Sequence, residues 1–167
     1  MDLYGNGEKI LTDKNLIIGG RNYLKDTSNQ IRTGTINSGS YYATSDDLDK
    51  CNNTTFSLSK SSNEHWFTAS AYLYNDTDYD LILCLHNPDN TSNVIKPHSE
   101  GKVTISANID NLQGVYFGVL NQTPVTKDQT FRYTDLKLEK GQYATDWTPN
   151  PQDFQDQIDQ LKSKLGG

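Results

Sequence analysis

Short segments in which apolar and polar residues alternate recur along this chain, and they constrain its fold more than any other feature. The clearest is GKVTISANI at 101–109, where every second residue is apolar (Val103, Ile105, Ala107 and Ile109). An alternation with a period of two turns one side of a strand toward a core and the other toward water. The segment YDLILCLHN at 79–87 is apolar on both sides, as in a central strand covered on both faces. The sequence therefore predicts a protein built from β-strands.

Eight or nine segments have the character of strands, and polar turns such as NPDNTSN and NQTPVTKDQ separate them. The predicted strands are 15–20, 30–36, 39–45, 54–60, 65–76, 79–87, 101–109, 114–122 and 130–141. The 10 Tyr residues and abundant Thr suit pleated surfaces, while Asn, Ser and Gly suit turns. Because no helices alternate with the strands, a parallel α/β fold is disfavoured. The predicted fold is all-β, and a jelly-roll β-sandwich is favoured over a closed barrel.

The C-terminal segment has a different rhythm. In DFQDQIDQLKSKL the apolar residues are spaced four, three and four apart (Phe154, Ile158, Leu161 and Leu165), which is the spacing of a coiled coil. Two heptads are marginal alone in water, so this short α-helix either packs on the sandwich or begins a longer oligomerising stalk. The predicted organisation is an N-terminal extension at 1–14, a β-sandwich module at 15–148, and a linker with a C-terminal helix at 149–167.

Charge and hydropathy exclude several classes of partner. The formal net charge is -6 and no basic stripe occurs, so nucleic acid and anionic lipid would be repelled. No apolar run approaches the roughly 18 residues of a membrane span, and the N-terminus lacks the apolar core of a signal peptide. A protein or a polysaccharide of low charge fits this composition better.

No catalytic constellation is found. The three His residues have no metal-ligand spacing, and neither a nucleophile elbow nor a phosphate-binding loop is present. In NDTDYD the carboxylates of Asp76, Asp78 and Asp80 lie in turn-like sequence, not in apolar surroundings that would raise a carboxyl pKa. This segment lacks the Gly and Glu of an EF-hand, which leaves a solvated turn or a looser calcium site. The chain is therefore predicted not to be an enzyme.

The two cysteines are interpreted structurally. Cys84 lies within the apolar run LILCLH and is predicted to be a small buried thiol. A disulfide with Cys51 is the alternative.

Aromatic residues on the polar sides of strands are the candidate binding residues. In WFTASAYLYND the period of two directs Phe67, Ala69, Ala71 and Leu73 toward the core. The other side carries aromatic rings among hydroxyls, and in GVYFGVL a further ring points outward. Such rings stack on the C–H faces of sugars while neighbouring groups hydrogen-bond their hydroxyls. The predicted carbohydrate-binding residues are Trp66, Tyr72, Tyr74, Tyr116 and Tyr42. The alternative is that these rings cover the second sheet or its edge.

The segment DLKLEKGQYATDWTPNPQD at 135–153 resembles a recurring ending of tail and baseplate proteins of phages that infect Gram-positive bacteria. In that family a jelly-roll module similar to carbohydrate-binding modules ends in a strand, a KLEKG turn and an ATDWTPxPED exit. The matching positions are 136–141 and 144–149, with Gln152-Asp153 where the family often has Glu-Asp. NLIIGGRNYLKDT at 15–27 resembles the opening strand of the family, and WFTASAYLYND resembles its YTxSxYxK strand.

The resemblance implies a non-catalytic receptor-binding module of the virion, made in the cytoplasm of the bacterial host. Its partners would be host cell-wall polysaccharide, other tail or baseplate proteins, and two further copies in a trimer formed through the C-terminal helix. The alternatives are a structural spacer or docking domain of the tail and a binding module of a cell-wall hydrolase. No cofactor is implied except, in some related modules, a structural calcium ion near a carboxylate of the last strand, where Asp135 stands here.

Three features of the ending can be interpreted from the residues themselves. Lys140-Gly141 predicts a turn, because Gly adopts positive φ without strain. Trp147 is predicted to be buried under the sandwich as an anchor, and Pro149 and Pro151 to stop the strand and stiffen the exit toward the helix.

Overall fold

A computed structural model describes residues 3–5, 8–11, 20–43, 66–86, 89–110 and 112–166. Strands β1 (Leu3–Gly5) and β2 (Glu8–Leu11) pair antiparallel within the predicted N-terminal extension. The predicted strand at 54–60 lies outside the described residues, as does the strand at 15–20 except for Gly20, which is in no strand.

Seven further strands form the body of the protein. In chain order they are β3 (Arg32–Ile36), β4 (Trp66–Asn75), β5 (Leu81–His86), β6 (Asn90–Thr91), β7 (Ser99–Asn108), β8 (Gly114–Val119) and β9 (Gln129–Lys140). A 3₁₀ turn at Leu120–Gln122 follows β8. The strands make two antiparallel sheets, one of four strands in the order β3-β9-β4-β7 and one of three in the order β6-β5-β8. The chain is therefore mostly β, as the alternation predicts.

The hydrophobic core draws on both sheets, and the predicted inward faces are confirmed. On β4 every second residue is buried in the core (Phe67, Ala69, Ala71 and Leu73), and on β8 the inward residues are Val115, Phe117 and Val119. Phe117 of the three-stranded sheet meets Phe131 and Tyr133 of the four-stranded sheet at ring-centroid distances of 5.3 and 4.9 Å. This aromatic contact joins the two sheets.

Strand β5 is buried on both of its faces, as predicted for a central strand. Cys84 is a free, fully buried thiol in this strand, and burial raises its pKa to about 11. The prediction of a small buried thiol is confirmed, while Cys51 lies outside the described residues.

The predicted strand at 39–45 is replaced by a shorter contact. Tyr42 forms an isolated bridge with Gly118 of β8, and its neighbours complete the contact through Ala43 N to Phe117 O (2.8 Å) and Val119 N to Tyr41 O (2.7 Å). Residues 44–45 lie outside the described part of the chain.

A β-bulge interrupts β9 at Asp135. Ser70 of β4 pairs with Lys137, but Tyr72 pairs with Thr134, so β9 contains one extra residue at this point. Asp135 adopts a φ of 60°, a left-handed conformation that Asp tolerates better than most residues, and its N–H donates to Ser28 O at 2.9 Å. The bulge shifts the alternation, so that Lys137 turns away from the core.

Helix α1 (Pro151–Gly166) confirms the predicted C-terminal helix. Asn150 caps it by accepting the Gln152 N–H at 2.8 Å. An ion pair of 2.8 Å between Lys25 and Asp156 ties its first turns to the sandwich. Its apolar stripe stays 45–89% exposed (Phe154, Ile158, Leu161 and Leu165). Within the described ranges, the structure contains no helix with the length and apolar character that a membrane span requires.

Candidate functional site

The outer face of the four-stranded sheet, opposite the core, carries three of the predicted binding residues. The register places Tyr72 beside Lys102 of β7 and Thr134 of β9. Tyr74 follows on the same face, with its ring centroid 5.1 Å from that of Tyr72. Trp66 lies at the other end of β4 and is 36% exposed. The structure thus brings Tyr72 and Tyr74 into contact and leaves Trp66 at a distance along the strand.

The other two predicted residues lie on the opposite side of the sandwich. Tyr42 and Tyr116 meet edge to face on the outer side of the three-stranded sheet, with ring centroids 6.4 Å apart. The Tyr116 hydroxyl donates to Asp89 at 3.1 Å, and His86 contacts the same carboxylate at 2.5 Å. The five predicted residues therefore belong to two separate surfaces.

A covering segment, residues 141–148, crosses the outer face of the four-stranded sheet. Thr68 donates its hydroxyl to Gly141 O, and Ser106 donates to Gln142 O, both at 2.8 Å. Thr68 is consequently fully buried, although it lies on the side that faces away from the core. The hydroxyls predicted to surround exposed rings at this end are instead used to bind the covering segment.

A buried ion pair holds the covering segment from below. Lys137 and Glu139 of β9 have 0% side-chain exposure, and Lys137 Nζ lies 3.9 Å from Glu139 Oε2. Lys137 Nζ donates to Thr145 Oγ1 at 2.8 Å and to Asp146 O at 2.6 Å. Glu139 accepts from the Thr145 N–H at 3.0 Å and from its hydroxyl at 2.7 Å. Burial lowers the pKa of Lys137, and the Glu139 carboxylate opposes that shift.

The prediction that Trp147 is a buried anchor is confirmed only in part: the side chain is held in place, but it is partly buried and lies on the outer face. Its indole Nε1–H donates to Thr27 Oγ1 at 3.1 Å. The buried Asn22 side chain donates to the same hydroxyl at 2.9 Å and to Leu136 O at 3.1 Å, which joins Thr27 to β9. This chain of hydrogen bonds fixes the indole beside the sheet with part of its surface open.

A cleft of about 130 Å³ opens between the covering segment and the sheet. We call it the outer cleft; its lining includes Ser70, Tyr72, Lys102, Asp135, Asp146 and Trp147. It combines two aromatic rings, one ammonium group, two carboxylates and the aliphatic hydroxyls of Ser70 and Thr145. Such a mixture can bind an amphipathic ring with hydroxyl substituents.

Charged and hydroxyl groups with different surroundings line the outer cleft. Desolvation and the nearby Glu100 carboxylate raise the pKa of Tyr72, so its hydroxyl stays protonated. In the part of the chain that the structure describes, neither Lys102 Nζ nor the Asp146 carboxylate takes part in a hydrogen bond or an ion pair. The bulge brings the Asp135 carboxylate to the same cleft, where it accepts from Thr134 Oγ1 at 3.1 Å.

The carboxylates of NDTDYD each pair with a basic side chain, which favours the interpretation of this segment as a solvated turn. The pairs are Asp76 with Arg132 (2.8 Å), Asp78 with His98 (2.9 Å) and Asp80 with Lys96 (3.0 Å). Across the described residues, no group of three or more His, Cys, Asp or Glu side chains is arranged to hold a metal ion. Calcium at Asp135 stays a prediction of the resemblance.

Sequence reasoning found only part of the outer cleft. Tyr72 is among the predicted binding residues, whereas the sequence analysis assigns no role to Lys102 or Asp146. The sequence signal that could have indicated Asp146 is the occurrence of the KLE and ATDW segments together. Lys137 and Glu139 of the first segment bind Thr145 of the second, which is the residue before Asp146 and Trp147.

In comparisons with known proteins, no family model, curated protein or solved structure matches this chain.

Proposed function

We propose that this chain is a non-catalytic carbohydrate-binding module of a phage tail or baseplate adhesion protein, and that it binds host cell-wall polysaccharide in the outer cleft. The observation that carries the proposal is that two partly exposed rings, Tyr72 and Trp147, line one cleft together with charged side chains. The resemblance of 135–153 to phage tail modules supplies the biological context. As part of an assembled tail, the module would be located in the virion.

The outer cleft suits sugar binding for a chemical reason. The indole and phenol rings offer flat apolar surfaces to sugar C–H groups. Asp135 and Asp146 can accept hydrogen bonds from hydroxyls, and Lys102 can donate them.

The strand order supports the finer assignment of the fold to the jelly-roll class. The chain passes from β4 in the four-stranded sheet to β5 and β6 in the other, and then changes sheet again at β7, β8 and β9. Repeated crossing between two antiparallel sheets is typical of jelly rolls.

The exposed stripe of α1 supports assembly into a trimer. Its four apolar residues keep the a/d spacing of a coiled coil and lie open in the described part of the chain. Association through α1 would place several clefts on one particle, so that weak binding at each cleft adds up to strong attachment.

Binding to cell walls tests the proposed function. A fluorescent fusion of the full chain, shown to be oligomeric, is incubated with cell walls from a panel of Gram-positive bacteria and with their purified polysaccharide. Retention on at least one wall, competed by its soluble polysaccharide, is expected. If no wall or polysaccharide retains the oligomeric chain, the module is a structural spacer instead.

Single substitutions locate the site. Trp147→Ala and Tyr72→Ala should each weaken retention by about tenfold or more. Tyr143→Ala is the matched control, because Tyr143 lies in the same covering segment but is 81% exposed. If only Tyr42→Ala and Tyr116→Ala weaken binding, the site lies on the opposite sheet and the assignment to the outer cleft is wrong.

A further inference from the structure

The size of the outer cleft limits what can occupy it. Its volume of about 130 Å³ is far below the roughly 300–1,000 Å³ of pockets that enclose drug-sized ligands. A cavity of about 150 Å³ is enough to hold one six-membered ring. The outer cleft is thus close in size to a site for a single six-membered ring.

A stack of side chains follows Tyr72 along β4, next to the residues that line the outer cleft. The Arg132 guanidinium lies over the Tyr74 ring at 4.9 Å from its centroid. Asp76 fixes the guanidinium through two hydrogen bonds, from Nε at 2.8 Å and from Nη2 at 3.0 Å. Because Tyr74 is already covered by a cation, it does not offer a second stacking surface in line with Tyr72.

The opposite end of the outer cleft is closed by the covering segment. The segment is bonded to the sheet through Thr68 and Ser106, and Thr68 has no exposed surface left. A polysaccharide cannot continue along β4 in that direction without displacing residues 141–142 and the buried pair beneath Thr145. Along β4 the covering segment thus blocks the cleft at one end, and at the other end Arg132 covers the next aromatic ring, Tyr74.

We infer that the outer cleft binds a single monosaccharide residue at a chain end or on a side branch, and not a stretch within a polysaccharide backbone. A backbone stretch needs a path out of the site at both ends, whereas a terminal or branching ring needs only one. Lys102 and Asp146 face that ring from the rim and recognise its hydroxyls. This inference rests on the proposed function and adds the class of ligand.

A small ligand in an open cleft is bound weakly, so the expected dissociation constant is on the order of millimolar. Every additional sugar unit would lie outside the cleft. Affinity should therefore be almost independent of oligosaccharide length.

The test uses the wall polysaccharide that the full chain retains. Complete acid hydrolysis gives its constituent monosaccharides, and partial hydrolysis gives graded oligosaccharides. Each is titrated against the full chain by NMR, in competition with the intact polysaccharide. We expect one monosaccharide to compete, and the oligosaccharides that end in it to bind within about threefold of it.

A pair of matched variants connects the result to the cleft. Asp146→Asn should weaken monosaccharide binding by about tenfold, whereas Asp159→Asn, the same change on the exposed surface of α1, should leave it unchanged. Equal binding by both variants would overturn the inference.

The remaining outcomes separate the inference from the proposed function. If affinity rises by about tenfold or more with oligosaccharide length, or if the polysaccharide is retained but none of its monosaccharides competes, the single-ring site is wrong and carbohydrate binding stands. If no wall polysaccharide is retained at all, the proposed function fails and the inference fails with it.

Discussion

Replacing Glu139 by Gln tests whether the buried ion pair holds the covering segment in place. The variant keeps the size of the side chain but leaves the Lys137 ammonium without its anionic partner at 0% exposure. Removing one member of a buried pair typically costs about 3–5 kcal/mol, because the remaining charge is desolvated and uncompensated. One amide oxygen can still accept from Thr145, so we expect a loss of about 3 kcal/mol in the free energy of unfolding. That is a large share of the roughly 5–15 kcal/mol that stabilises a domain.

The assay is urea denaturation followed by tryptophan fluorescence, with the slope m checked to be unchanged. Glu100→Gln is the matched control, since Glu100 is exposed on the same face and its change should stay within about 0.5 kcal/mol. Adding Lys137→Met to Glu139→Gln should restore part of the lost stability, because no unpaired charge is then buried. The reasoning is refuted if Glu139→Gln is no more destabilising than Glu100→Gln.

Other sites give independent checks. The Arg132 guanidinium lowers the pKa of Asp76, so the stability from this pair is complete above about pH 4 and is lost as the pH falls through the folded-state pKa. In thermal melts, the melting temperature of Asp76→Asn should therefore fall less at acidic pH than that of the wild type. An identical fall in both proteins would contradict this. Gly34→Ala should destabilise by about 1–3 kcal/mol in urea melts, because its Cβ would overlap the buried Phe131 ring; wild-type stability would show that the ring moves freely. Burial and a pKa of about 11 should keep Cys84 unmodified by a thiol reagent at pH 8 until the protein unfolds, as peptide mass spectrometry can show; modification at the denatured rate would contradict its burial.

The sequence by itself determined which residues face inward and which outward within most strands. The alternation in β4, β7 and β8 and the two-sided apolar run of β5 were predicted from neighbouring residues alone. The helix was equally evident, because its apolar residues repeat at helical spacing. These features follow from the local geometry of a strand or a helix, which a short sequence segment already contains.

Only the tertiary structure decided which outward residues share a surface. Tyr72 and Tyr116 satisfy the same alternation, yet they lie on opposite sides of the sandwich, because strand order and pairing are not local properties. The bulge at Asp135 shifts the alternation of β9 and directs Lys137 outward.

The ending of the chain is likewise only partly predictable from its own residues. Its motif predicted a turn and an anchor, and Gly141 does take a φ of 102°. The following segment folds back over the sheet, where it borders the outer cleft and leaves part of Trp147 exposed. This arrangement depends on hydrogen bonds to Thr27, Thr68 and Ser106, which lie far away in the sequence. Contacts of this kind become visible only when the sheet is assembled.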